Sequence, residues 1–378
     1  MGGILKQCIH DGFGLQTFGE RLTGPEYAEH YEKLARELKI EIKLNTFVLD
    51  LSNDRVVQAI SPDDGMVFYK AKAVILAMGC REKTRSNIML TGERPAGVYT
   101  AGLVQRLVNI DGFIPGKEAV ILGSGDIGLI MARRLTLEGV KVKGVYEIMS
   151  YSSGLKRNIV QCLDDMGIPL KLSCTVVATH GKERLEGVTI ADVDEKLCPI
   201  RGTERFVECD TLLLSIGLIP ENELAQSMGV SLDSHTKGPD CDGQLMTDVE
   251  GIFSCGNALH VNDLVDFVSE SGEQAGKNAA LYSKKERRNV RLNIGNEFQY
   301  LVPQRLDLNS DNSAVTMYFR SAKVLGKSTL RMKIDGEEVW KRVYPFLRPP
   351  EMQQIKLDFT KYEINENSDV RFEIEVAE

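Results

Sequence analysis

The sequence predicts an α/β chain: two parallel-sheet halves on one doubly wound plan, the first N-terminally truncated, followed by a small C-terminal antiparallel β domain. Three observations carry this. A strand, a glycine turn and a helix follow one another from Lys117 to Gly139. Two stretches, 34–79 and 162–217, repeat one order of helix, short strand, antiparallel excursion and apolar strand ending in Gly. From about residue 292 apolar and polar residues alternate, the period of a half-buried strand.

The strand KEAVIL ends abruptly in Gly123-Ser124-Gly125-Asp126-Ile127-Gly128 and passes into the helical pattern LIMARRLTLEG. Gly123 permits the tight turn, Gly125 lets the backbone approach a pyrophosphate, and Gly128 lets helix and strand pack closely. The helix N-terminus offers free N–H groups to phosphate. A second strand, VKVKGVYE, ends at Glu147, 19 residues after Gly128. An acid there accepts hydrogen bonds from ribose hydroxyls and repels a 2′-phosphate, so NAD is favoured over NADP. A lone GxGxxG is weak. With strand before, helix after and acid at the right distance, it reads as a Rossmann-like dinucleotide-binding unit.

The repeat pairs IEIKL with IPLKL, and AVILAMG, ending in Ala77-Met78-Gly79, with TLLLSIG, ending in Gly217. A strand ending in a small residue and Gly lets backbone pass close to a cofactor. In the second copy Gly123 precedes Ile168 by 45 residues, and the same offset back from Ile40 falls before residue 1. The first copy therefore lacks its glycine unit, which needs on the order of 30 further residues.

Composition narrows the function. A net charge of -8 argues against a nucleic-acid surface. The basic run KKERRNVR at 284–291 reads as a solvated linker. No apolar run approaches the roughly 18 residues of a membrane helix, and MGGILKQC lacks the segments of a signal peptide, so a cytoplasmic protein with no transmembrane segment is expected. The eight cysteines show no CxxC and no zinc spacing, and the five histidines are scattered, so no metal site is expected. HExxH, GxSxG and GKS or GKT are absent.

On these motifs the chain resembles flavoproteins of the pyridine nucleotide-disulfide oxidoreductase superfamily, in which an FAD domain of two segments brackets an NAD domain. The resemblance implies an FAD-binding domain over 1–107 and 240–287, an NAD-binding domain over 108–239, and a separate β-sandwich-like domain over 292–378. It implies that Ala77, Met78 and Gly79 lie against FAD, with Met78 in place of the usual Thr. GIFSCGN resembles the second FAD motif, with Gly256 and Asn257, the latter replacing an Asp. The helix SESGEQAGKNAA would then present Glu270 and Gln274 toward the flavin, its dipole stabilising negative charge on the reduced ring. GGILKQCIHDGFGL at 2–15 resembles the segment that approaches the flavin after the first βαβ unit, and MGG the remnant of a turn before it.

The runs QCIHDGFG, AMGCRE, GERPAGVYTAG and CGNALHVNDLVDFVSE also resemble flavin subunits found with anaerobic-type glycerol-3-phosphate dehydrogenases. A partner dehydrogenase subunit is thus implied, and an oligomer remains open. In the thioredoxin-reductase branch a cysteine pair follows a Gly-Val-x-Tyr segment. AGVYTAGLVQ at 96–105 has no cysteine, so hydride exchange between NAD(H) and flavin is expected without a dithiol. Cys8 and His10 are the candidate reactive pair, against a reading in which Cys8 packs and His10 makes a local hydrogen bond. His260 and Asp263 either contact flavin or cap the following helix. Two alternatives stand beside this: a flavin-free NAD-binding or scaffolding subunit, and an inactive fragment of the full flavoprotein.

In the C-terminal segment Asp335-Gly336 is a hairpin signal. Trp340, Tyr344 and Phe346 are expected to form that domain's core, with partner docking as the alternative.

Overall fold

From their second residues on, the strands EAVIL and TLLL are apolar because both faces of their sheet are covered. In the computed structural model, which describes residues 1–376, they lie side by side in a sheet of five parallel strands. Its order is Leu170–Lys171, Lys141–Tyr146, Glu118–Leu122, Thr211–Leu214, Val98–Thr100. Alternate residues go to opposite faces. Ala119, Ile121 and Leu213 join a core with Leu129, Met131 and Leu135 of the helix Asp126–Leu137. Val120, Leu122, Leu212 and Leu214 join Val176, Val188 and Ile190 of a four-stranded excursion sheet. The glycine helix ends at Leu137, and Gly139, with φ of 85°, turns the chain just past its C-cap Glu138.

This sheet belongs to a unit made of Met1–Ile40 and Arg81–Ile219. The same unit contains the helix Gly24–Glu37, whose start is fixed by a capping box between Thr23 and Glu26.

A second unit comprises Glu41–Cys80 and Pro220–Glu378. Here Phe47–Leu51, Val56–Ser61 and Gly65–Lys70 form an antiparallel sheet, and Val74–Leu76 pairs in parallel with Ile252–Ser254. The run IEIKL, expected as a strand, forms none. Its counterpart Leu170–Lys171 exists because Val145 and Tyr146 pair with it. Among the described residues no strand offers the first copy that partner, and Ile42 and Leu44 are left exposed.

From Asn289 onward a sandwich of five and three strands closes on its own core, which includes Phe298, Leu306, Met317, Phe319, Leu330 and Phe372. It is not wholly antiparallel: Asn289–Ile294 and Val370–Val376 lie side by side running the same way. Asp335 and Gly336, with φ of 52° and 88°, make the expected hairpin turn. Tyr344 enters the core and Trp340 packs on it, whereas Phe346 is exposed under the Arg348 guanidinium. The basic run at 284–291 is exposed at six of its eight residues and has no regular structure before Asn289, as a solvated linker would, but its arginines have partners. Arg287 pairs with the buried Asp242 at 2.9 Å, Arg288 with Glu366 at 3.3 Å and Arg291 with Asp240 at 2.5 Å.

Candidate cofactor-binding site

The strand order reverses between Glu118–Leu122 and Thr211–Leu214: from the first the chain winds toward Lys141–Tyr146, while the second lies on the other side. A doubly wound sheet opens a ligand crevice at the carboxyl ends of such strands. The glycine loop stands there, and its three glycines serve different ends. Gly123 has φ 94°, and a Cβ on it would stand 2.0 Å from the Ser215 carbonyl oxygen. A Cβ on Gly128 would come within 2.7 Å of the Ser215 Cβ. Both are required by the protein's own packing. A Cβ on Gly125 would meet nothing closer than 3.4 Å. Its smallness serves nothing inside the protein and leaves room for backbone approach by a ligand, the fit a dinucleotide pyrophosphate needs.

Gly125 is the N-cap of a 12-residue helix whose first N–H groups have no intrahelical partner. Gly128 N is already satisfied by Ser215 Oγ at 3.1 Å. Gly217, with φ 101°, turns the chain just past the second strand.

Glu147 lies where the sequence places it but is engaged inward. It is 5% exposed, and its Oε2 accepts from Ser124 N at 2.8 Å and Ser124 Oγ at 2.6 Å, while Oε1 accepts from Met149 N at 3.0 Å. Asp126 likewise faces the protein: its Oδ1 accepts from Leu155 N at 2.8 Å and Asn158 Nδ2 at 2.7 Å. Both carboxylates thus hold the glycine loop and the segment after the second strand in place. Ile127 packs against the helix-side core.

In the second unit the two expected flavin-motif strand ends are adjacent, since Cys255 N donates to Leu76 O at 3.1 Å. Ala77 and Met78 are exposed, and Gly79 has φ 75° with open space where a Cβ would stand. Gly256 is buried with φ 59°, its N–H bound to Ser271 Oγ at 2.9 Å. Asn257 Oδ1 accepts from Asn262 N and Nδ2, and its Nδ2 donates to Cys80 Sγ at 3.5 Å. Gly79 therefore fits close approach by a flavin. Among the described residues, however, this unit has no glycine turn and helix start for a flavin pyrophosphate.

Glu270 and Gln274 are not at a helix N-terminus. The helix spans Val265–Ala280, starting a turn before the expected Ser269, so Glu270 is its sixth residue. Glu270 accepts from Gln354 Nε2 at 2.6 Å and pairs with Lys356 at 2.5 Å, and Gln274 donates to Gly243 O at 2.9 Å. Four residues apart, they share a helix face, and that face is committed to protein. His260 and Asp263 do the same: His260 is buried between Tyr300 and Tyr318, and Asp263 pairs with the half-buried Arg320.

Cys8 and His10 each engage neighbours other than one another. Cys8 is 7% exposed, its Sγ is 3.5 Å from Ile4 O and 3.6 Å from Gln105 Oε1, and burial pushes its pKa up to about 11. A nucleophilic thiol needs the opposite shift. His10 packs on the Phe13 ring at 5.1 Å, and burial lowers its pKa.

Residues the motifs did not single out complete the loop. Ser153 N donates to Ser124 Oγ at 3.0 Å, and Asn158 and Ser215 supply the contacts given above. Only Ser215 left a trace in the sequence, as the small residue ahead of the Gly that ends TLLLSIG.

No helix among the described residues is long and apolar enough to cross a membrane. The family model for pyridine nucleotide-disulphide oxidoreductases matches residues 28–279. The chain is 26% identical over 251 residues to hydrogen cyanide synthase subunit HcnB of Pseudomonas protegens, covering 61% of this chain and 52% of that protein. It is 30% identical over 230 residues to the ferredoxin reductase component of a chlorobenzene dioxygenase from Cupriavidus sp., covering 59% and 51%. It thus spans about half the length of these curated relatives. In fold it is similar to the thioredoxin reductase of T. acidophilum, with TM-score 0.58 at 21% identity over 74% of this chain and 86% of that one. With a matched glycine loop, doubly wound sheet and strand ends, the chain belongs to the pyridine nucleotide-disulphide oxidoreductase family.

Proposed function

We propose that the chain is an FAD- and NAD(H)-dependent oxidoreductase subunit that exchanges hydride between NAD(H) and flavin and passes electrons to or from a protein partner. The observation that carries this is Gly125: space at a switch point, in front of a helix start, that the protein's own packing does not require. Relatives named as ferredoxin reductase components of chlorobenzene and biphenyl dioxygenase systems support a protein electron partner. Those names do not support the glycerol-3-phosphate dehydrogenase association implied by the sequence resemblance, and the partner is proposed only as a redox protein. NAD is proposed over NADP because Glu147 keeps a carboxylate at the end of the second strand, where it repels a 2′-phosphate.

Gly79 and the strand ends around it would hold the flavin, which when bound supplies the hydride-accepting ring. Its pyrophosphate would need a further strand, glycine turn and helix, and Val74–Leu76 leaves an edge for them. Val74 N and Leu76 O face Ile252–Ser254, so the peptide groups of Ile75 face away, and among the described residues no strand pairs there. That edge also favours the second reading, an NAD-binding subunit that carries no flavin by itself.

The visible spectrum of the purified chain, with added FAD and then NADH under anaerobic conditions, tests the proposal. Flavin bands that bleach with NADH support it; a chain that binds NADH but stays colourless with FAD leaves the second reading.

A further inference from the structure

We infer that Lys83 binds the nicotinamide-side phosphate of the dinucleotide, an assignment that rests on the NAD reading of the glycine-loop crevice. No motif singles out Lys83. The fold brings it to the crevice through its backbone, since Lys83 N donates to Gly217 O at 3.0 Å. Its side chain then runs alongside Gly217, with Cδ, Cε and Nζ 3.8, 3.9 and 3.7 Å from where a Cβ of that glycine would stand.

The strand order fixes which end of a dinucleotide this is. Lys141–Tyr146, ending beside Glu147, lies on one side of the glycine-turn strand, and Thr211–Leu214, leading to Gly217, lies on the other. With the pyrophosphate at Gly125 and the adenosine ribose toward Glu147, the nicotinamide half runs over Ser215 to Gly217. Ser215 Oγ is 3.4 Å from a Cβ position on Gly125, and two residues span at most roughly 7 Å. Lys83 Nζ, 3.7 Å from the Cβ position of Gly217, therefore stands on the side of the crevice over which the nicotinamide half runs.

The charges around the crevice leave this cation for the ligand. Glu147 and Asp126 are committed to backbone and side-chain donors of the loop. The adjacent Glu82 accepts from Gly102 N at 2.7 Å, at the start of the helix Ala101–Asn109. Lys83 is half-buried, and among the described residues no ion pair or hydrogen bond of its Nζ is found. An ammonium held against Gly217, at the crevice that the glycine-loop helix opens onto, complements a phosphate that the helix dipole alone would neutralise only in part.

The test is a set of binding titrations on the whole chain with NADH and, separately, AMP, for wild type, Lys83→Met and Lys83→Arg. Lys83→Met should weaken NADH about tenfold, the order expected for one hydrogen bond to a charged group. It should leave AMP affinity and melting temperature unchanged, and Lys83→Arg should recover most of the NADH affinity. Equal NADH affinity in Lys83→Met and wild type overturns the assignment, as does an equal loss of AMP affinity. A wild-type chain that binds neither ligand overturns the dinucleotide reading itself, and Lys83's role with it.

Discussion

Glu147 Oε2 accepts two hydrogen bonds from one residue, from Ser124 N at 2.8 Å and Ser124 Oγ at 2.6 Å, with Ser124 wholly buried. The acid that ends the second strand thus fixes the middle of the glycine loop, and any ribose contact is made by a carboxylate already held in place. Glu147→Gln can turn its amide nitrogen toward these donors or lose the charge that strengthens them. The expected cost is about 1–3 kcal/mol of stability, together with weaker NADH binding, read by denaturant melts and titration. A variant as stable as wild type would show that the loop does not depend on this carboxylate.

Arg320 ties the sandwich to the loop that carries Asn257. It pairs with Asp263 and donates to Tyr300 Oη at 3.0 Å and Val261 O at 3.4 Å, with its side chain 12% exposed. Arg320→Met leaves Asp263 without its cation, and because the pair is only part-buried the expected loss is about 1–3 kcal/mol, below that of a fully buried pair. Hydrogen exchange should also rise in residues 256–264. Protection unchanged there would mean that the loop is held by other contacts.

His260 gives the second unit an acid-sensitive element. Burial, then the nearby Arg320 charge, lowers its pKa from 6.5 to about 3, so the folded protein keeps it neutral between Tyr300 and Tyr318, with Asp263 beyond Arg320. The unfolded chain binds a proton there that the folded one does not. This contribution to stability is therefore complete above pH 6.5 and is lost as pH falls toward 3, by up to about 1.4 kcal/mol per pH unit. Unfolding measured from pH 7 to 4.5 should show that slope, and His260→Gln should flatten it. Parallel curves for the two proteins would assign the acid sensitivity elsewhere.

Thiol chemistry separates Cys8 from Cys198. Cys198 is exposed, whereas Cys8 is buried and pushed up to about 11. Iodoacetamide at pH 8 should label Cys198 in the folded protein and reach Cys8 only after unfolding. Prompt labelling of Cys8 in the native state would restore it as a reactive group.

Where local chemistry decides the structure, the sequence can be read directly. The turn at Gly123, the glycine helix, the Asp335-Gly336 hairpin and the apolar strands of the five-stranded sheet all lie as their patterns predict. What it hides depends on partners distant in sequence. IEIKL carries a strand pattern but forms no strand because no neighbouring strand takes up its backbone groups. The resemblance puts Glu270 at a cofactor-facing helix start, yet Gln354 and Lys356 claim it. Lys83 shows no motif at all, since its position follows from a backbone bond to Gly217. For the same reason the exposed run 284–291 does not show that one of its arginines, Arg287, reaches the buried Asp242.

The glycine loop offers the sharpest control, because its glycines are small for different reasons. Gly123→Ala would drive a Cβ to 2.0 Å from Ser215 O, whereas the nearest protein atom to a Cβ on Gly125 is 3.4 Å away. The first substitution should lower stability, the second only ligand approach.

The measurement that bears most directly on the whole account is an NADH titration of Gly125→Val beside wild type, with the melting temperature of each. The account predicts that wild type binds NADH, and that the variant loses that binding while its melting temperature falls much less than that of Gly123→Ala. NADH affinity preserved in Gly125→Val would contradict it, because the ligand would then not lie across the glycine loop.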